Sequence, residues 1–316
     1  MAFLLFLPTR GLLLRYSFGT VLFLNEKEVF MQIDCNRAKQ AFLTYVKNYD
    51  ASNPRVALKI EHSLRVADLC RTIAQNEHYQ KNDCDLAWLI GLLHDIGRFE
   101  QLRRWNTFSD AQSTSHATLS VEFLFDVKDD ENNSNKNNND NNDVERTGKN
   151  ANNAVLLRSF IDDTLEDNLI RKAVGLHSVF HLPDTLSNRE HVFCSIVRDA
   201  DKLDILEVMQ RSTPEVIMNA TLEDLKVSKL SAAVVEAFNQ HHCVRREDRI
   251  YPADFVVGFI CFVFELEHPI SKKLALESGA VLWLIDQPFG LKDGFFNPET
   301  QATFNHMKQE IEAYLS

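Results

Sequence analysis

Glycine and proline are scarce in this chain, which has 10 glycines and 8 prolines among its 316 residues. β-Sandwiches and β-barrels need many turns that contain these two residues, so their scarcity disfavours such folds and favours long helices joined by few tight turns. No alternation of apolar and polar residues is long enough to predict a strand, and no internal repeat is present. The sequence therefore predicts an all-α fold.

The sequence also lacks long apolar runs and has fewer basic than acidic residues. No stretch reaches 18 apolar residues, so no transmembrane helix is predicted, and the longest interior run, 255–264, suits a buried helix in the core or at a homodimer face. Lysine and arginine number 34 against 45 acidic residues, for a net charge of −11. Nucleic acid polymers are poor partners for so acidic a surface, because clustered basic residues bind their phosphates. A small anionic substrate held by a metal and a few arginines is compatible with it.

Paired cysteines and several catalytic motifs are missing. None of the six cysteines has CxxC spacing, so we expect mostly buried, reduced thiols in a cytoplasmic protein. The sequence contains no Walker loop, GxGxxG, GxSxG or HExxH motif. Nucleotide-triphosphate motors, dinucleotide-dependent redox enzymes, α/β-hydrolases and zincins therefore lack support.

Two segments interrupt the helical pattern. Residues 1–30 form an apolar stretch broken by Pro8 and two arginines; we interpret it as an extension foreign to the native protein, the alternatives being a targeting sequence or a hydrophobic tail. Eleven of the 25 residues from 129 to 153 are asparagine, without apolar periodicity, which predicts a disordered insertion. The other residues of 31–316, about 260, suit one helical domain.

Apolar residues recur at helical spacing through the rest of the chain. Asp83 is predicted to cap a helix that ends at Gly97, followed by an irregular segment with Arg103 and Arg104, and then by a helix with His116 in its first turn. Other predicted helices cover 34–49, 55–77, 189–209, 270–286 and 298–315.

Five of the predicted helices each carry a histidine or an aspartate among apolar neighbours. A single buried histidine is usually a core residue with a satisfied hydrogen bond. As a set, however, imidazoles and carboxylates are ligands for divalent metals, and facing helices can bring them together. Burying the aspartates without a cation would be costly, and a shared metal removes that cost. The set comprises His62, His94 and Asp95 in LLHDIGRFEQ, His116 in SHATLSVEFLF, His177 in AVGLHSVFHLP, and Asp201 in IVRDADKLDIL.

The order H…HD…D with these flanks resembles the HD superfamily of metal-dependent phosphohydrolases, which are helical proteins. LLHDIGRFEQ and RDADKLD are most similar to a bacterial group of uncharacterised HD-domain proteins, and the resemblance spans about Met31 to Ser316. It implies a helical bundle around one or two divalent ions, drawn from Mn²⁺, Mg²⁺, Fe²⁺, Co²⁺ and Ni²⁺. The ligands that it implies are His62, His94, Asp95 and Asp201, with His116 and His177 for a second ion.

The substrate implied by the resemblance is a small phosphate ester or nucleotide, hydrolysed by a metal-activated water. Asp95 is suited to bridge two ions, because a carboxylate has two oxygens. The phosphate needs further positive charge, for which Arg98, three residues after the His-Asp pair, is the first candidate. The other candidates are Arg65, Arg103, Arg104 and Lys202. Asp199 and Asp204 flank Asp201, and Asp204 is a candidate for orienting a ligand.

Other interpretations use the same residues. Some relatives with six such ligands are di-iron oxygenases that act on phosphonates or inositol, and an HD domain can also serve as a non-catalytic metal- or nucleotide-binding module. The Gly-Tyr-Pro element of cyclic-dinucleotide phosphodiesterases does not follow His177, which argues against cyclic di-GMP. His181 is a rival of His177, but Leu182-Pro183 ends the predicted helix beside His181.

Overall fold

The computed structural model describes residues 32–125 and 156–316. Within these ranges the chain is all-α and contains no β-strand, which confirms the predicted fold class. The predicted extension over residues 1–30 and the predicted insertion over 129–153 lie outside the described residues. The division of the chain into an extension, one domain and an insertion therefore stays a prediction.

The described ranges contain fourteen α-helices, joined by short turns and several 3₁₀ segments. In chain order they are α1 (Cys35–Val46), α2 (Pro54–Asn76), α3 (Lys81–Leu93), α4 (Gly97–Trp105), α5 (His116–Phe125), α6 (Asp167–Leu176), α7 (Asn188–Met209), α8 (Pro214–Met218), α9 (Leu222–Lys226), α10 (Ala232–Asn239), α11 (Pro252–Ile260), α12 (Pro269–Ser278), α13 (Ala280–Asp286) and α14 (Pro298–Leu315).

Side-chain caps fix the beginnings of the helices that the sequence predicts best. Asp34 accepts a hydrogen bond from the Arg37 backbone N–H at the start of α1, and Asn297 caps α14 in the same way. Ser187 and Glu190 form a reciprocal capping box at the start of α7. Because each cap satisfies N–H groups that have no partner within the helix, the predicted and observed boundaries of these helices agree closely.

The predictions around α3 are wrong in two respects. α3 begins at Lys81 after Gln80, so Asp83 lies in its first turn and is not its cap. The helix ends at Leu93, and a turn over residues 94–96 separates it from α4, which begins at Gly97. The predicted helix end at Gly97 is thus the start of the next helix.

Two further segments differ from the prediction. Arg103 and Arg104, expected in an irregular segment, lie in the last turn of α4, whose Phe99 and Leu102 are buried. The single helix predicted over 270–286 is divided into α12 and α13 by Gly279, which has a φ of 64°. This left-handed conformation ends a helix and is easily adopted only by glycine.

α3 is the central helix of the fold. All ten residues from Cys84 to Leu93 are buried, and α3 lies against both α2 and α7, the two longest helices. A helix that is apolar on all sides belongs inside a domain. α5 packs between α4 and α6, and α6 lies against α7 on its other side.

The C-terminal helices complete the core. α11, α12 and α13 all contact α7, and the apolar run over 255–264 contributes fully buried side chains, among them Val256, Val257 and Ile260. These side chains of the run therefore belong to the core of the domain. The six cysteines are free thiols, of which five are buried and Cys35 is half-buried. None of the described helices is both long enough and apolar enough to cross a bilayer.

Gly97 allows α4 to approach α5 closely and generates a testable prediction. A Cβ at this position would lie 2.5 Å from the Ser120 backbone nitrogen and 2.7 Å from the His116 carbonyl oxygen. Backbone atoms cannot move aside as a flexible side chain can, so we expect Gly97→Ala to force the two helices apart. The expected loss in free energy of unfolding is about 1–3 kcal/mol, measured by thermal denaturation followed by circular dichroism.

Gly175 in α6 provides a matched control. A Cβ there would meet only the Val121 Cγ2 atom, at 3.3 Å, and that side chain can shift. Since alanine also favours the helix, we expect Gly175→Ala to change the unfolding free energy by no more than about 1 kcal/mol. Equal melting temperatures for the two variants would contradict this description of the α4–α5 contact.

Candidate metal centre

Four side chains meet where α2 and α7 face the turn after α3. The Nε2 atom of His62 lies 3.3 Å from Nε2 of His94 and 3.1 Å from Oδ1 of Asp201. Oδ2 of Asp95 lies 3.5 Å from the first of these nitrogens and 3.6 Å from the second. Ligands at about 2.1 Å from one ion stand roughly 3.0–3.4 Å apart. The His94 Nε2 and Asp201 Oδ1 atoms are 3.7 Å apart, so the four atoms surround one point at a spacing slightly wider than that of a ligand set closed on a single ion.

A second group of atoms lies on the other side of the same carboxylate. His116 is the first residue of α5, and His177 directly follows α6. Their Nε2 atoms are 3.0 Å apart, and each is 3.6 Å from Oδ1 of Asp95. Asp95 thus presents one oxygen to each group, which is the arrangement of a carboxylate that bridges two ions.

Backbone carbonyls fix the tautomer of two of the histidines. The Nδ1 atom of His94 lies 2.7 Å from the Gly91 carbonyl oxygen, and that of His177 lies 2.7 Å from the Val174 carbonyl oxygen. A carbonyl oxygen can only accept a hydrogen bond, so Nδ1 must donate it. In the neutral form of each ring, Nε2 then carries a lone pair, and this lone pair faces the centre.

Carboxylates orient the other two histidines in the same sense. Nδ1 of His62 lies 2.6 Å from Oδ2 of Asp204, and Nδ1 of His116 lies 2.8 Å from Oδ2 of Asp110. Carboxylates that hold the outer nitrogen of a histidine are typical of metal sites, where they make the ligand more basic. Asp204 therefore lies where the sequence suggested, behind a ligand candidate.

The donor set as a whole fits a divalent metal. The four Nε2 atoms form two close pairs, and the two nitrogens of each pair repel one another unless a proton or a metal ion lies between them. Oδ1 of Asp95 is buried and has no hydrogen-bond donor among the described residues. A buried carboxylate oxygen without a partner is costly, and coordination to a metal would offset that cost.

The local charges give the same indication. Burial would lower the pKa of His62, as would the charge of Lys59, but hydrogen bonds to Asp201, Asp204 and Asp95 raise it to about 9. Without another cation this imidazole therefore keeps a proton at neutral pH. Binding of a divalent ion would replace that proton as the balancing charge.

Arg98 is the predicted phosphate-binding residue that the structure brings to the centre. Its Nε atom lies 3.5 Å from Oδ1 of Asp95, is buried and has no hydrogen-bond partner among the described residues. Its Nη1 atom is held by the Phe108 carbonyl oxygen at 2.6 Å and by Oε1 of Gln101 at 2.7 Å. The guanidinium is thus fixed beside the carboxylate with its buried Nε–H unused.

Two of the other candidates lie beside the centre but have other partners. Arg65 forms an ion pair with Asp204, behind His62, so it supports the orienting carboxylate. Lys202 is buried next to Asp201 and lies 3.3 Å from Oε2 of Glu265.

Arg103 and Arg104 are not brought to the centre. Both pair with the buried Glu100, and neither makes an ion pair or hydrogen bond with the ligand candidates in the part of the chain that the structure describes. The sequence made them candidates for binding the substrate phosphate. On a helix, however, an acid three or four residues earlier is the nearest partner for a basic side chain.

Two alternatives weighed from the sequence also differ in where the structure places the residues. His181 is exposed and its ring contacts Phe180, so His177 is the histidine that reaches Asp95. Asp199 accepts hydrogen bonds from backbone N–H groups, including that of His268 at 3.0 Å. It therefore anchors the segment before α12 and does not belong to the centre.

Two residues of the centre were missed in the sequence. Lys59 donates a hydrogen bond to Oδ2 of Asp95 at 2.6 Å, and its position one helical turn before His62 is a signal that could have revealed it. Asp110, which holds His116, also accepts from Arg98 Nη1 at 3.2 Å. It lies in a 3₁₀ turn, where no periodicity marks it.

Comparison with known families identifies the chain. The family model of the HD domain matches residues 60–242, more than half of the chain. The protein belongs to the HD-domain family. The matched segment contains all six ligand candidates of this HD domain, while Lys59 lies just before it. Searches of curated proteins and of solved structures found no significant match.

The hydrogen bond from His62 to Asp204 generates a prediction for metal affinity. Asp204→Asn keeps the shape of the side chain but removes the charge that makes His62 a stronger ligand. We expect Mn²⁺ to bind roughly 10- to 100-fold more weakly, measured by isothermal titration calorimetry. Asp286→Asn is the control, because Asp286 pairs with Lys308 at the surface. Equal Mn²⁺ affinities for wild type and Asp204→Asn would refute the orienting role.

Proposed function

We propose that this HD-domain protein is a divalent-metal-dependent phosphohydrolase that acts on a small phosphate ester or nucleotide. One observation carries the proposal: the two oxygens of Asp95 face separate sets of imidazole nitrogens, while the cations of Arg98 and Lys59 lie against the same carboxylate. Metal ligands next to fixed positive charge are what a phosphoryl group requires.

Six residues would hold the ions. The first ion would be held by His62, His94, Asp95 and Asp201, and the second by Asp95, His116 and His177. Divalent ions there would supply Lewis acidity, which lowers the pKa of a coordinated water and draws charge from phosphoryl oxygens. An imidazole-rich set is less suited to Mg²⁺, which prefers oxygen ligands, than to Mn²⁺, Fe²⁺, Co²⁺ or Ni²⁺.

Arg98 binds and orients the phosphoryl group in this proposal. The anchoring of Nη1 by Phe108 and Gln101 leaves the guanidinium little freedom, and the unused Nε–H lies beside Asp95. A donor that is already oriented loses little entropy when it meets a phosphoryl oxygen. Arginine also offers the planar donor geometry that matches phosphate.

The residues behind the histidines contribute by holding the ligand geometry. Asp204, Asp110 and the carbonyls of Gly91 and Val174 each bind one Nδ1–H, so that every Nε2 lone pair faces the centre. Because these partners are buried or nearly so, the rings keep their orientation when the centre is empty of substrate. Hydrogen bonds from residues outside the ligand set hold the ligands of a metal site in the orientation that binding requires.

A di-iron oxygenase would use the same six residues. The cations beside Asp95 favour a substrate with an anionic phosphorus group over an uncharged one such as inositol, and a phosphate ester or nucleotide fits that requirement. Metal content and products separate the two functions. Two irons per chain together with O₂ consumption would overturn the phosphohydrolase proposal.

The proposal predicts phosphate release that depends on the metal. Protein purified anaerobically is analysed for metals and then assayed with Mn²⁺ against a panel of phosphate esters and nucleotides. We expect turnover of at least one member, and we expect the His94→Ala, Asp95→Ala double variant to abolish it, because both groups of ligands lose a member. Lys308→Ala, a surface change, is the control and should retain activity. Turnover that survives the double change would show that the site is assigned wrongly.

A further inference from the structure

Lys59 occupies an unusual place for a lysine. It lies on α2, and its Nζ atom is 2.6 Å from Oδ2 of Asp95. Its side chain is only 16% exposed. Lysines are seldom buried unless they are paired, and the partner of Lys59 is Asp95. The ammonium thus reaches into the metal centre from its border, and the described chain gives it one carboxylate partner there.

The oxygen that Lys59 contacts is the one that the first ion needs. Oδ2 of Asp95 also lies 3.5 Å from Nε2 of His62 and 3.6 Å from Nε2 of His94. The ammonium would be repelled by a divalent ion bound at the same oxygen, because two cations that close cannot both be balanced by one carboxylate. Lysine has a flexible four-carbon stem, so its ammonium can swing away from Asp95 while its Cα stays in place.

Phe108 limits where that ammonium can go. Nζ of Lys59 lies 5.6 Å from the centroid of the Phe108 ring, and the guanidinium carbon of Arg98 lies 5.7 Å from it. The ring therefore holds both cations on one border of the centre, where each is stabilised by a cation–π contact. Lys59 stands at one oxygen of Asp95 and Arg98 at the other.

A centre loaded with two divalent ions would carry excess positive charge. The ions would use both oxygens of Asp95, so Lys59 would lose its partner and need a new anion. A phosphoryl dianion supplies that charge and has enough oxygens to meet the ions and two side-chain cations together.

We infer that Lys59 binds the phosphoryl group of the substrate, together with Arg98, once the metal centre is loaded. The ammonium exchanges the carboxylate of Asp95 for a phosphoryl oxygen. This inference rests on the proposed function, because it takes the substrate to be a phosphate compound. It adds a binding residue that lies outside the ligand set and outside the segment matched by the family.

Two titrations of the full-length protein test it, with Mn²⁺ and inorganic phosphate as probes. In Lys59→Met we expect Mn²⁺ to bind at least as tightly as in wild type, because the competing cation is gone. Phosphate should bind to the Mn²⁺-saturated variant roughly 10- to 100-fold more weakly. Lys59→Arg should recover much of the phosphate affinity. Lys172→Met, at a surface pair with Glu190, is the matched control and should change neither affinity.

The opposite pattern would overturn the inference. If Lys59 only supports Asp95, Lys59→Met will bind Mn²⁺ more weakly, and once saturated it will bind phosphate as well as wild type does. Wild-type protein that binds Mn²⁺ but no phosphate would instead reject the proposed function itself.

A measurement on the wild type avoids any folding defect in the variants. We expect phosphate to protect Lys59 of the Mn²⁺-saturated protein from acylation by acetic anhydride, as read by peptide mass spectrometry. Equal labelling of Lys59 with and without phosphate would likewise contradict the inference.

Discussion

A carboxylate buried among four imidazoles, that of Asp95, is the constraint that organises this protein. Its oxygens lie 3.5–3.6 Å from histidine nitrogens on two sides, and one oxygen has no hydrogen-bond donor in the described chain. An unbalanced charge in that position would be costly. The positive charges of Lys59 and Arg98 balance it from within the chain, as does the proton that the raised pKa of His62 retains. Divalent ions would balance it more completely.

Two of the ligand candidates are positioned by the same local arrangement at the end of a helix. His94 and His177 each stand directly after a helix, and each donates Nδ1–H to the carbonyl three residues earlier. The end of a helix leaves carbonyls without partners, so a histidine placed there satisfies one of them and is itself oriented. α2 and α7, which both pack against α3, bring His62 and Asp201 next to His94.

The sequence was sufficient for the all-α class, because apolar residues recur at helical spacing, and the resemblance of the HD motif and its flanks to a family was sufficient to name the ligand candidates. The sequence was insufficient where contacts with residues distant in the chain determine the position of a side chain. Asp110 lies in a short turn, and the inward direction of Lys59 depends on Asp95, 36 positions away. For Arg103 and Arg104 the competing partner was local, since Glu100 lies on the same helix.

The central proposal is that Asp95 would offer one oxygen to each of two divalent ions, and electron paramagnetic resonance of the Mn²⁺-loaded protein tests it most directly. Two Mn²⁺ ions that share a carboxylate, about 3.5–4 Å apart, are magnetically coupled. We expect a coupled two-manganese spectrum for wild type and its loss in Asp95→Ala. A spectrum of isolated Mn²⁺ alone at full occupancy of the wild type would contradict the bridging role of Asp95.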